Sequence, residues 1–511
     1  MPQKLSRIAG AVAAVALGGI ALHDLFQRDH AILRNFPLVG HFRYWLESVG
    51  PELRQYIVTD NDSERPFTRD ERRWVYASSK QENNYFGFGT DNDLEQTPHY
   101  VIIKHAAFVE PVDEAPPDSE QQVPGAKILG GGHQRRHAFR PSSVVNISAM
   151  SFGALSGPAV EALNRGAGIA GCLHNTGEGG ISPHHLHGGE LIWQIGTGYF
   201  GCRDVNGGFV LERAVEQAQT APVRAIEVKL SQGAKAGLGG LLPAAKVSPE
   251  IAGIRGIPVG RDCVSPPYHR AFADVDGLID FVEKLADATG LPVGIKSAVG
   301  EGAFWGELAA RMATRGEGPD FVTIDGGEGG SGAAPLAFAD HVGLPFMTGF
   351  PRVYRTFLQA GLSADVTFVG AAKLGFPQRA LLAMALGCDL VNVAREAMLS
   401  IGCIQAQRCH TGHCPTGVAT QSEWLAGGLD ADRKSVRAAN YIRALRCELL
   451  RLGRTCGKPH PSLVGLDSFE LIDDRLQGEP ATALFGYDKG WGLPSLEDRE
   501  AITELMAASG R

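Results

Sequence analysis

The feature that most constrains this chain is a series of short apolar runs after Pro141, each closed by a polar, glycine-bearing loop. Eight are countable: VVNISAM, CLHNTG, GYFGC, AIEVKL, LPVGIKS, DFVTID, DVTFVG and DLVNVA, with helix-length segments between them. Parallel strands covered on both faces read as continuous apolar runs, and eight such units in about 260 residues describe a (β/α)8 barrel. A doubly wound sheet is the alternative, but it usually opens on one dominant glycine loop, whereas here nearly every run ends in one. The expected fold is therefore α/β, a TIM barrel over 141–425. An N-terminal extension over 31–140 is expected to pack on it, and a helical region to follow over 426–511. Amphipathic stretches at 274–290 and 377–387 fit barrel helices, and 434–453 carries an apolar stripe of the core-facing kind.

With 44% hydrophobic and 20% charged residues among 511, the chain is globular, and a net charge of −8 gives no footprint for nucleic acid. Its nine cysteines are scattered and odd in number, which argues against a disulfide framework and for a reducing compartment. Ile8 to Leu22 holds no charge and follows Lys4 and Arg7. At about 22 Å that run falls short of a roughly 30 Å hydrocarbon core. Three readings of 1–30 stand: a transmembrane anchor, a cleaved signal, or a buried or peripheral helix. The first puts the protein on the cytoplasmic side of a membrane, and the last leaves it cytoplasmic. Residues 110–125, acidic and proline-rich, read as a surface loop or linker.

A barrel of this kind carries its chemistry just after the strands. Those positions hold Met150, Ser151, Phe152 and Gly153; Glu178; Lys229, Gln232 and Lys235; Lys296; Gly326 and Gly327; Gly370, Lys373 and Gly375; and Arg395. The loops after strands seven and eight are a common phosphate site, so a phosphate-bearing cofactor fits there, with Lys373 and Arg395 as charge partners. The plainer reading is that Gly370 and Gly375 shape a tight turn. Cys403, Cys409 and Cys414 fall within twelve residues, interleaved with His410 and His413. Thiolates in this pattern suit an iron–sulfur cluster or a Cys3His zinc site, and spacing alone leaves both open.

These motifs together resemble the FMN-binding synthase domain of the glutamate synthase family, over Ser148 to Gln421. The matching residues are MSFGALS, NTGEGG, KLSQGAKAGLGG with LLP, SPP at 265–267, VGIKS, DGGEGGSGAAP, and C-x5-C-x4-C followed by PTGVATQ. The resemblance implies FMN in the barrel mouth and a [3Fe–4S] cluster on Cys403, Cys409 and Cys414. It implies conversion of 2-oxoglutarate and ammonia through 2-iminoglutarate to L-glutamate. Lys296 aligns with the lysine at the flavin, where a cation stabilises the reduced ring. Lys229, Lys235 and Gln232 are the nearest candidates for substrate carboxylates. Glu178 could steer ammonium or protonate the imine, or simply anchor its loop.

The chain also departs from the family pattern. Gly370-Ala371 replaces the usual glycine pair, and Lys373 stands where arginine is common. Residue 2 is proline and the first cysteine is Cys172, so no terminal cysteine is present to hydrolyse glutamine. No G-x-G-x-x-G in strand–helix context serves NAD(P)H. Electrons are expected from an external donor, reduced ferredoxin or a separate flavoprotein, and nitrogen from free ammonium or a separate amidotransferase. Two other readings remain. One is an enzyme for a different 2-oxo acid or an N-substituted glutamate, given the long loops at 238–270; the other is a non-catalytic electron-transfer subunit.

Overall fold

The computed structural model describes residues 2–27, 31–54, 58, 63–94, 97–109, 122–473 and 477–509. Most of the linker expected at 110–125 lies outside them. The chain divides into two compact units, Met1–Asp70 and Glu71–Arg511.

In the larger unit eight parallel strands close into a barrel, as the run pattern predicts. They are β1 (Val145–Ile147), β2 (His174–Asn175), β3 (Leu191–Ile195), β4 (Val223–Lys229), β5 (Val293–Ser297), β6 (Phe321–Asp325), β7 (Thr367–Ala371) and β8 (Leu390–Val393), with β8 pairing back onto β1. The third run was misplaced. GYFGC is a turn, because Tyr199 and Gly201 adopt φ of 50° and 90°, and left-handed backbone cannot continue a pleated strand. The strand is the preceding LIWQI, with all five residues buried.

The helix Val275–Thr289 starts on Asp274, whose side chain accepts the Gly277 N–H, and stops at Gly290 in the left-handed region. Pro377–Ala385 opens on its proline, where a missing N–H costs nothing. The long helix Ala431–Thr455 packs on Gly157–Ala170. A Cβ at Gly166 would lie 2.7 Å from that of Ala438, so glycine sets how closely these helices approach. The region after 426 is not wholly helical. Phe469–Ile472 pairs antiparallel with Tyr100–Ile103 on one side and Gly478–Pro480 on the other. Its burial alternates along the strand, the signature of a half-covered ribbon.

The lower end of the barrel is plugged by Leu129 and Phe139, packed on Leu173, Ile192, Ala225, Phe321, Val369 and Leu390. Beside it Arg135 donates two 2.7 Å bonds to Glu283 and reaches both Asp320 oxygens at 3.0 Å. Asp320 in turn accepts the Val293 N–H at 2.7 Å, tying the clamp to the start of β5. Burying apolar side chains and clamps at one end leaves the C-terminal mouth free for chemistry.

The smaller unit carries the helices Pro2–Phe26, Ala31–Asn35 and Val39–Leu53. Among the described residues no helix is long and apolar enough to cross a membrane, so the transmembrane reading of 1–30 gains no support.

Candidate active site

Strand register builds the site from below. β4 and β5 run side by side with Lys229 opposite Lys296, and Glu227 lies two residues beneath Lys229 on the same face. Glu227 is fully buried and accepts hydrogen bonds from Asn175 (2.8 Å), Gln194 (2.6 Å) and Thr323 (2.7 Å). This polar layer closes the barrel interior under the cavity.

Two adjacent lysine charges would repel, and each has its own carboxylate. Lys229 donates to Glu178 at 2.6 Å and to Gln232 Oε1 at 3.2 Å. Lys296 sits 3.3 Å from Asp325, which also accepts the Gly233 N–H. Burial alone would raise the Glu178 carboxyl, but Lys229, Lys235 and Arg255 outweigh it and hold the group down to about 2. Burial likewise opposes the charge on Lys296, yet Asp325 and Glu227 keep its pKa above the ordinary lysine value. Lys235 goes the other way. Burial and repulsion from Lys229 bring it down to about 8, against the attraction of Glu178.

Met150, Ser151, Glu178, Lys229, Gln232, Lys235, Lys296 and Arg395 share one cavity. Gln232 is fixed there by its amide, which donates to Gly330 O at 2.7 Å. Phe152 instead points into the wall, its ring 4.7 Å from that of His184, and Gly153 lies under Arg255 and Leu242. The excursion between β4 and β5 covers the cavity and brings in Arg255, which donates to Phe152 O at 3.0 Å. A Cβ at Gly239 would collide with the Ser265 carbonyl, so glycine lets this cover fold down.

A second recess joins the same mouth between β7 and β8, lined by Ala371, Ala372, Lys373, Ala394 and Arg395. Ala372 and Lys373 hold φ of 115° and 51°, strained for residues with a Cβ. Arg395 lies over Gly330 and donates to Glu328 O at 2.6 Å. The expected glycines stand elsewhere. Gly326 and Gly327 spend their N–H groups on Ala371 O and Leu344 O, and Gly375 spends its own on Glu396. A Cβ at Gly370 would meet Leu374 and Cys388, and one at Gly375 would meet Tyr441 and Glu396. All four serve close packing around the recess; none of them lines it.

Cys403, Cys409 and Cys414 lie in a loop against the cavity wall, with Cys409 among its lining. All nine cysteines are free thiols. Burial raises the Cys403 thiol to about 12, and Cys409 and Cys414 add to that, so the three sulfurs feel one another. Burial opposes ionisation of Cys414 too, but backbone N–H groups of Ala419, Thr416 and Val418 bring it below the usual thiol value. Lys246, 3% exposed, braces the loop by donating to Cys409 O at 2.6 Å and Ala419 O at 3.1 Å. Among the described residues no three His, Cys, Asp or Glu side chains close on one point as a mononuclear metal requires. The donor set is three thiols on one loop with backbone amides directed at Cys414, and thiolates are ligands of iron–sulfur clusters and of zinc alike.

Sequence reasoning missed Arg255, Lys246, Glu227 and Asp325. Asp325 stood in the DGGEGG motif and Glu227 in the AIEVKL run, where inward-facing carboxylates under two lysines were legible. No local signal marks Arg255 or Lys246.

A closed parallel barrel with a cationic cavity at its C-terminal mouth and a thiol loop on its wall defines a (β/α)8 enzyme. The family pattern described as a conserved region in glutamate synthase matches residues 115–458. The glutamate synthase large subunit-like protein YerD of Bacillus subtilis is 38% identical over 483 residues, covering 88% of this chain and 91% of that protein. The archaeal glutamate synthase [NADPH] of Methanocaldococcus jannaschii is 33% identical over 365 residues, 70% of this chain and 67% of that one. The archaeal-type glutamate synthase [NADPH] of Thermotoga maritima is 35% identical, and only 57% of its length is matched. The chain belongs to the glutamate synthase family, oxidoreductases acting on CH–NH2 donors.

Proposed function

We propose that this chain reduces 2-iminoglutarate, formed from 2-oxoglutarate and ammonia, to L-glutamate, with FMN in the barrel mouth and a [3Fe–4S] cluster on Cys403, Cys409 and Cys414. The observation that carries this reading is a division among the cations. Lys229 and Lys296 are each paired with a carboxylate, whereas among the described residues Lys235 and Arg255 form no ion pair. Two cations without a direct ion pair in one cavity, sharing only the longer-range attraction of a Glu178 already bonded to Lys229, suit a substrate with two carboxylates, since a buried cation is stable only when it is paired.

The flavin, when bound, supplies the hydride chemistry and the cluster one-electron relay. Met150, Ser151 and Lys296 would face the ring, Lys296 as a fixed positive charge, while Lys373, Arg395 and the backbone of 371–373 would hold the phosphate. Lys235 and Arg255 bind the substrate carboxylates, and Gln232 orients them. Glu178, ionised at neutral pH, holds an ammonium or iminium cation beside the 2-oxo carbon and does not act as an acid. Lys235, near 8, exchanges the proton that the forming amine needs.

Electrons are delivered by an external donor, ferredoxin or a separate flavoprotein, and nitrogen by free ammonium or a separate amidotransferase. The test is the purified chain, loaded with flavin and iron, given 2-oxoglutarate, ammonium and an artificial reductant. Glutamate should accumulate with all three and not with any one omitted. Reductant consumption without glutamate would sink the proposal.

A further inference from the structure

We propose that the Met1–Asp70 unit docks on an anionic lipid bilayer, its first helix dipping into the hydrocarbon without crossing it. From Gly10 to Ile20 every residue is exposed and none carries a polar side chain. Val12, Val15 and Leu17 are 64%, 77% and 52% exposed. A helix that is apolar all round is at rest only in a protein core or in hydrocarbon. A docking protein covers one face, whereas lipid covers the whole circumference. The uncharged run of about 22 Å enters a roughly 30 Å core without spanning it, in keeping with the absence of a crossing helix among the described residues.

The helix Val39–Leu53 supplies the second part. Val39, Phe42, Trp45 and Leu46 recur at helical spacing and are exposed by 74%, 59%, 56% and 41%, with the Phe42 and Trp45 rings stacked at 5.6 Å. An aromatic stripe bordered by the polar residues Arg43 and Glu47 is the pattern of a helix lying in the plane of a membrane interface. The two helices are held at a defined elbow. The buried Asp24 carboxylate accepts the Leu38 N–H at 3.0 Å and lies 3.0 Å from His41 Nε2. Charge selects the lipid. The unit as a whole balances eight basic against eight acidic residues, but Lys4 and Arg7 lead into the uncharged run and no acidic residue precedes Asp24, whose carboxylate is engaged internally. Basic residues flanking an inserting segment favour anionic headgroups.

The full chain would be floated with vesicles of phosphatidylglycerol and phosphatidylcholine, and with phosphatidylcholine alone. Binding to the first should exceed binding to the second by about tenfold or more. Phe42→Glu with Trp45→Glu should weaken it by at least about tenfold. Brominated lipids should quench a fluorescence component that Trp45→Phe removes while binding persists. Failure to float, equal binding to both vesicles, or quenching unchanged in Trp45→Phe would overturn the proposal. So would a stable dimer, insensitive to vesicles, that Phe42→Glu with Trp45→Glu dissociates, since a second copy would then cover this face.

Discussion

Replacing Glu178 by Gln keeps the size of the side chain and removes one charge from a cavity with several cations. Lys235 stands at about 8 because burial and Lys229 depress it while Glu178 supports it. Glu178 lines the same cavity as Lys235 without a direct ion pair to it, and an opposite charge nearby is worth roughly one to three pKa units, so a loss of about 1.5 would bring Lys235 to about 6.5 in Glu178→Gln. At about pH 7.5 its protonated fraction then drops from roughly three quarters to about a tenth. An ammonium required for turnover is lost as pH rises through its folded pKa, so the change appears on the alkaline limb. The assay is kcat/KM for 2-oxoglutarate from about pH 5.5 to 9.5 with saturating ammonium and an artificial reductant. The limb should move down by more than one unit, with about eightfold loss at pH 7.5 from this cause alone. Lys235→Met should remove the limb altogether. A limb that stays near 8 in Glu178→Gln, or that survives in Lys235→Met, would refute the assignment.

Cys409→Ser should abolish iron and acid-labile sulfide while most flavin stays bound, read by metal analysis and low-temperature EPR; one zinc per chain without sulfide in the parent protein would defeat the cluster. Arg135→Ala leaves Glu283 without its cation and the fully buried Asp320 with only the His133 ring and the Val293 N–H as partners, and should cost about 3 kcal/mol in urea unfolding. Burial holds His174 at about 3, His269 at about 4 and His460 at about 3. Their folded pKa values lie below the unfolded value of about 6.5, so the unfolded chain binds more protons and stability falls as pH drops below that point. At about pH 5 each should cost roughly 2 kcal/mol, and unchanged urea midpoints between pH 7 and 5 would contradict it.

Most barrel strands were legible because a strand covered on both faces needs a continuous apolar run, and that pattern survives in one dimension. The exception is instructive. LIWQI and GYFGC are both apolar, and only backbone handedness at Tyr199 and Gly201 separates strand from turn. Lys229, Lys296 and Glu178 were legible for a topological reason, since barrel chemistry follows strand ends. Arg255 arrives on an excursion of its own between β4 and β5, and only tertiary folding brings it to Ser151 and Phe152. Glycine was the least reliable guide. A glycine that offers its N–H to a ligand and one that makes room for a neighbour look alike in sequence, and Gly375 proves to make room for Tyr441 and Glu396.

The charges at the mouth divide by the element that carries them. Lys296 is on a rigid strand, flanked by Thr323 in register and paired with Asp325, and its pKa is raised. A group so placed keeps its charge through any physiological pH and suits steady stabilisation of a reduced cofactor. Lys235 is on the short helical turn Gly233–Lys235 that follows β4, has no carboxylate of its own among the described residues, and is lowered to about 8. That group can give up and regain a proton near neutrality. Where environments push two like groups apart in pKa, their roles in acid–base chemistry separate. The proposed mechanism assigns the fixed charge to the cofactor side and the mobile proton to the substrate side. Asp325→Asn removes a negative charge from the cofactor side while Glu227 still supports the Lys296 cation, so it should raise the reduction potential of the bound flavin before it alters the alkaline limb set by Lys235.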